Sequence, residues 1–171
     1  MPDRELFISA MRNVATPVTI VTTNGPAGTH GATVSAMCSL SADPASLLIC
    51  LNRQSRILGL IEENGAFCVN VIAEGQDDIA MAFAGAPRTT PRKFATPDWT
   101  HDNPNTLPEL RNAAATFQCA YKTTQSFGSH QIIVGTVLAT TAADHAPLVY
   151  HQGSFFALAT NRAKPPRSEP V

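Results

Sequence analysis

Short strand-like runs joined by tight turns fill the first third of this chain, and they limit its fold more than any other feature. Pro17-Val18-Thr19-Ile20-Val21-Thr22-Thr23 is rich in β-branched residues and reads as a strand. Asn24-Gly25-Pro26-Ala27-Gly28 has turn chemistry and implies a hairpin into the run from Gly31 to Ser41. Asp43-Pro44 is a second turn, leading to the buried strand Leu47-Leu48-Ile49-Cys50-Leu51. Hairpins break the strict strand–helix alternation that a doubly wound parallel sheet requires.

The rest of the chain fits the same reading. Residues 3–14 form an amphipathic helix with Leu6, Phe7, Ala10, Met11 and Val14 on one side, ended by Pro17. Ser55 can cap a helix through Ile57, Leu58, Leu60 and Ile61, and Asn64-Gly65 stops it. Phe67-Cys68-Val69-Asn70-Val71-Ile72 is a strand, and residues 76–84 read as a helix stopped at Gly85. Residues 86–108, rich in Pro, Thr, Asn and Asp, form a long excursion anchored by Phe94 and Trp99. Further strands are expected at 116–124, 131–140 and 155–159. About seven strands against roughly two or three helices give a mainly β fold, an antiparallel barrel or sandwich with helical additions. Residues 1–160 are expected to form one domain, and the polar, proline-rich residues 161–171 a disordered tail.

Composition narrows the function. With 44% hydrophobic and 15% charged residues in 171, the chain can bury a sizeable core under a thin charged surface, which suits an oligomer. A net charge of -1 provides no basic field for nucleic acid. No apolar run approaches the ~20 residues that span a bilayer. The start, Met1-Pro2-Asp3-Arg4-Glu5, lacks a signal peptide's pattern, so the expected location is the cytoplasm. Cys38, Cys50, Cys68 and Cys119 all fall in apolar strand-like runs and form no Cys-x-x-Cys pair; buried free thiols are expected, and no metal site. The glycine-rich dinucleotide fingerprint, the P-loop, the zinc His-Glu-x-x-His and the nucleophile elbow are absent.

The polar residues that remain converge on one kind of ligand. If Gly31–Ser41 is a single strand, Thr33, Ser35, Met37, Ser39 and Ser41 face one way and Val34, Ala36, Cys38 and Leu40 the other. Small neighbours let a ligand approach the backbone. The strand that follows delivers Asn52-Arg53-Gln54-Ser55, and Arg53, Ser55 and Arg56 at a helix start suit an anion. Together they describe a site for a polar, anionic, partly flat ligand.

These segments resemble the short-chain flavin reductases, the reductase components of two-component flavin-dependent monooxygenases. Gly31 to Ser41, Asp43-Pro44, Cys50 to Ser55 and Phe67 to Val71 carry the first part of the resemblance. Gly128-Ser129-His130 with Ile132 to Val137, and Pro147 to Tyr150 with Gly153 to Leu158, carry the rest. Phe83-Ala84, Lys93-Phe94 and Trp99 stand in the same order, and the likeness extends over about 6–158. It implies an FMN-binding split barrel of antiparallel Greek-key type, built as a homodimer with flavin at the interface. It implies reduction of FMN or FAD by NADH or NADPH, and delivery of reduced flavin to a separate monooxygenase.

By position, Thr33, Val34 and Ser35 would line the isoalloxazine edge, and Ser39, Leu40 and Ser41 would extend along the ribityl and phosphate path. Asn52, Arg53 and Ser55 would hold ribityl hydroxyls and phosphate, and His130 would sit at the nicotinamide side. Ser129 stands where many relatives carry an acidic residue. Hydride transfer between two cofactors needs aligned rings rather than a protein acid–base pair, and the sequence offers no triad or carboxylate pair. Two alternatives fit the same residues: a split-barrel oxidoreductase that retains its flavin, and a non-catalytic binding barrel.

Overall fold

The computed structural model describes residues 3–84, 94, 96–100 and 106–158. The chain runs through α1 (Arg4–Met11), β1 (Thr16–Pro17), β2 (Thr19–Thr23), β3 (His30–Val34), β4 (Met37–Ala42) and β5 (Ala45–Asn52). It continues with α2 (Arg56–Asn64), β6 (Ala66–Val71), α3 (Asp77–Phe83), β7 (Trp99–Thr100) and β8 (Glu109–Leu110). Two long strands, β9 (Ala115–Phe127) and β10 (His130–Ala142), precede β11 (Leu148–His151) and β12 (Ser154–Ala157). The expected mainly β fold is present, and the hairpin after Thr23 pairs β2 with β3. β11 is too short to stand out in the sequence. The expected helix stop at Gly85, most of the 86–108 excursion, the last residue of the strand expected at 155–159 and the tail 161–171 lie outside the described residues.

One topological fact explains the barrel shape. The main sheet has seven strands in the order β3-β2-β6-β9-β10-β5-β4, and every neighbouring pair is antiparallel. β3 and β4 stand at opposite edges, yet only Ser35 and Ala36 separate them in sequence. Consecutive Cα atoms are about 3.8 Å apart, so so short a link reaches across only if the sheet curls until its edges approach. The edges do not pair, and the result is a split barrel rather than a closed one.

This corrects the expected single strand from Gly31 to Ser41. The run divides at Ser35-Ala36, and the divide resets the alternation: Val34 and Met37, three positions apart, both pack into one core. A second reset occurs at a register shift between Ser39 and Ser41, where Leu40 is left 53% exposed. Cys38 is exposed too, so the expected apolar face of Val34, Ala36, Cys38 and Leu40 does not exist. The thiols divide accordingly. Cys68 and Cys119 are buried, and burial pushes the Cys119 thiol up to about 12 and holds the Cys68 thiol far above its ordinary range. Cys50 is half-buried, its thiol raised by burial and then by nearby Cys38.

Two apolar clusters hold the body together. In the first, Ile57, Leu58 and Ile61 of α2 meet Val21, Leu47, Ile49, Leu51, Phe67 and Ile133 from the sheet. Gly135 is required there, because a Cβ would stand 2.5 Å from Cζ of Phe67. The second joins Val18, Ile20, Ile72, Phe83, Trp99, Leu110 and Leu148. Phe94 and Trp99 act as the expected anchors, with Phe83–Phe94 and Phe83–Trp99 centroids 5.3 Å apart. Buried Asn70 ties a crossing segment to the sheet: it donates to the Ile20 carbonyl at 3.0 Å and accepts from the Leu110 N–H at 2.8 Å.

Candidate functional site

β5 ends at Asn52, and the chain turns at once into α2. The turn is self-stabilised: the Gln54 N–H donates to Oδ1 of Asn52 at 2.9 Å, and the Ser55 N–H to the Asn52 carbonyl at 2.8 Å. Ser55 occupies the N-cap position in extended conformation, but its side chain makes no cap hydrogen bond, contrary to the expected capping role. That leaves a hydroxyl at the positive end of a nine-residue helix, with Arg53 and Arg56 beside it in sequence.

A second element is fastened to this turn. β9 and β10 join through Phe127-Gly128-Ser129-His130, with Gly128 at φ 57, as a two-residue hairpin with glycine first requires. The Arg53 N–H donates to the Ser129 carbonyl at 3.0 Å, and Nη1 of Arg53 reaches the Gly128 carbonyl at 3.5 Å. In the sheet register His130 stands opposite Asn52. Asn52, Arg53, Ser55 and His130 are therefore brought to one edge by pairing that joins positions nearly eighty residues apart. Oγ of Ser129 and Nδ1 of His130 lie 2.9 Å apart, which leaves Nε2 as the ring nitrogen for another partner.

The hydroxyl run is only partly part of this edge. The Cys50 N–H donates to the Ala36 carbonyl at 2.9 Å, so the Ser35-Ala36 link lies beside the last residues of β5. Ser35 is exposed there. Oγ1 of Thr33 is committed to the Ala80 carbonyl of α3 at 2.6 Å. The Val34 side chain is in the core, and its carbonyl accepts from Oγ1 of Thr19 at 2.5 Å. Ser39 pairs with Leu47 and Ser41 with Ser46, at the opposite end of β5 from Asn52. At about 3.3 Å per residue, a ligand touching Ser39 and Asn52 would span roughly 17 Å. Oγ of Ser41 donates to the Asp43 carbonyl at 2.9 Å and accepts the Asp43 N–H at 3.1 Å, closing its own turn. Ser39, Leu40 and Ser41 are thus not brought to the Asn52–His130 edge.

The donor set is chemically one-sided. Between Asn52 and Arg56, and from Phe127 to His130, there are two guanidinium groups, hydroxyls and amides, and no carboxylate. Such a set fits the phosphate and hydroxyl groups of a flavin nucleotide. Among the described residues no group of three or more His, Cys, Asp or Glu could hold a metal ion. Phe127 is a site neighbour that sequence reasoning missed, because β9 runs three residues past the expected end at 124 and closes the hairpin against His130.

Known proteins carry the same fold and order of segments. Residues 11–159 match the family described as flavin reductase like domain. The FMN reductase (NADH) RutF of Klebsiella pneumoniae subsp. pneumoniae is 37% identical over 141 residues, 82% of this chain and 85% of the relative. The crystal structure of BorF, the flavin reductase component of a bacterial two-component tryptophan halogenase, superposes with TM-score 0.83 at 33% identity, covering 91% of this chain and 98% of that one. An NADH:FAD oxidoreductase of Streptomyces globisporus gives TM-score 0.84 at 27% identity, covering 93% and 95%. The chain belongs to the flavin reductase like domain family.

Proposed function

We propose that this protein is an NAD(P)H-dependent flavin reductase that reduces FMN or FAD by hydride transfer and supplies the reduced flavin to a partner monooxygenase. The observation that carries the reading is the fastening of the Asn52–Ser55 turn to the hairpin that bears His130. It brings the Arg53 guanidinium, the Ser55 hydroxyl and the His130 imidazole to one edge, with no carboxylate in 52–56 or 127–130, which supports an anion-holding group beside a ring-facing imidazole. When bound, flavin and nicotinamide supply the redox chemistry between them.

The chain's own residues bind and orient. Arg53 and the free Ser55 hydroxyl hold phosphate, aided by the α2 N-terminus. Asn52 reads ribityl hydroxyls, and exposed Ser35 contributes to the ring edge beside the β3 backbone. Thr33 acts through its bond to the Ala80 carbonyl, which fixes α3 against β3, and Val34 acts through its backbone alone. Ser39, Leu40 and Ser41 reach only a ligand that extends along β4. His130, with Nδ1 beside Ser129, presents Nε2 to the nicotinamide.

Naming of relatives as FMN reductase (NADH) and NADH:FAD oxidoreductase supports a flavin and NADH. The halogenase component supports a two-component arrangement. A homodimer is the assembly we assign. Leu48, Cys50, Ile132 and Val134 lie only half-buried on the outer face of β5 and β10, and Leu138 is 70% exposed. No helix among the described residues is long and apolar enough to cross a membrane, and a cytoplasmic location completes the reading.

The test is NADH oxidation measured with and without added flavin. Turnover that saturates in free FMN or FAD supports a reductase. Turnover indifferent to added flavin indicates a retained prosthetic group, and purified protein that binds no flavin overturns the proposal.

A further inference from the structure

The ends of three strands form one row beside the proposed site. His130 stands opposite Phe127 on β9 and opposite Asn52 on β5, so the three share one level of the sheet. Directly opposed residues share a face. Ile133 and Leu51 point into the core, so alternation turns His130 and Asn52 outward. Neighbouring strands are about 4.8 Å apart, so the row is about 10 Å wide. Phe127 is 78% exposed, the highest value for a bulky apolar side chain among the described residues.

A phenyl face, an imidazole and a primary amide side by side define a narrow chemistry. Their match is a planar heteroaromatic ring that carries a carboxamide: the ring stacks on the phenyl face, and the carboxamide meets Nε2 of His130, while Asn52 at the far side of the row stays with the ribityl hydroxyls. The row is held in place. Gly128 permits the tight turn, and the Arg53 N–H grips the Ser129 carbonyl at 3.0 Å. We infer that Phe127 is the stacking platform for the nicotinamide ring, and that it sets this chain's affinity for the reduced nicotinamide nucleotide. This rests on the proposed reductase function and adds a residue that the family motif does not single out.

The experiment compares wild type with Phe127→Ala, Phe127→Tyr and His130→Ala. Three quantities are read: KM for NADH, the dissociation constant of oxidised NAD for flavin-free protein by calorimetry, and the flavin Kd. Loss of one stacked ring raises the KM for NADH and the NAD dissociation constant about tenfold in Phe127→Ala. The flavin Kd stays at the wild-type value, and Phe127→Tyr restores both nicotinamide constants. An equal rise in the flavin Kd would move Phe127 into the flavin stack and overturn the inference. So would unchanged nicotinamide constants, or a change confined to the sedimentation of the dimer. If wild type oxidises NADH with flavin but Phe127→Ala matches it, the platform fails and the reductase reading stands. If wild type binds neither NAD nor flavin, the reductase reading itself fails.

Discussion

Arg53→Ala separates binding from architecture at the proposed site. The substitution keeps the backbone N–H that holds the Ser129 carbonyl at 3.0 Å, so the hairpin stays fastened. It removes only the guanidinium, whose contact with the Gly128 carbonyl is long, at 3.5 Å, and exposed. Exposed changes of this kind shift stability by about 0.5 kcal/mol or less. A charge-assisted bond to phosphate is worth roughly 1.5–3 kcal/mol. At about 1.4 kcal/mol per factor of ten, the flavin Kd should rise about tenfold to 150-fold. The assay is a flavin fluorescence titration at two ionic strengths, beside thermal unfolding of the flavin-free protein. Affinity should fall with salt in both proteins, and less steeply in the variant, which keeps Arg56 and the α2 N-terminus. An unchanged Kd with unchanged Tm would refute the phosphate role and leave Arg53 a fastener of the hairpin. A large Tm loss would show that the guanidinium contact carries more of the fold than its geometry allows.

Gly135→Ala should cost about 1–3 kcal/mol in urea unfolding, because the new Cβ meets Phe67 at 2.5 Å. Asn70→Ala removes the side-chain donor to the Ile20 carbonyl and leaves the Leu110 N–H without its acceptor. Each buried loss is worth about 1–3 kcal/mol, measurable by chemical denaturation, and no loss of stability would count against the buried tether. Buried Cys119 gives a pH signature. Its folded thiol titrates near 12 against an ordinary 9.0, so the unfolded state loses its proton first. That contribution is intact below pH 9.0 and is lost as pH rises toward about 12, so Cys119→Ala should flatten the alkaline decline in Tm.

Local signals carried the fold well and the site in part. β-branched runs and turn residues mark most strands, and Asn64-Gly65 ends α2 as expected, with Gly65 in the left-handed conformation. The break at Ser35-Ala36 left no such mark, because nothing local says that the chain must pass from one sheet edge to the other. An uninterrupted hydroxyl pattern therefore read as one strand with one polar face. The same long-range pairing hid the link between Arg53 and Ser129, and the row of Phe127, His130 and Asn52. Residue type pointed to an anion at Arg53 and Ser55. Only the register reveals that Ser39 and Ser41 lie at the far end of β5 from them.

The central claim is that the edge formed by the Asn52–Ser55 turn and the His130 hairpin is where nicotinamide reduces flavin. Anaerobic rapid mixing of the flavin-loaded protein with NADH, followed by bleaching of the flavin absorbance, tests it in wild type and His130→Ala. Bleaching that is fast in wild type and markedly slower in the variant, with the flavin Kd equal in both, is the predicted result. Equal bleaching rates, or a slower rate fully accounted for by lost flavin binding, would contradict it.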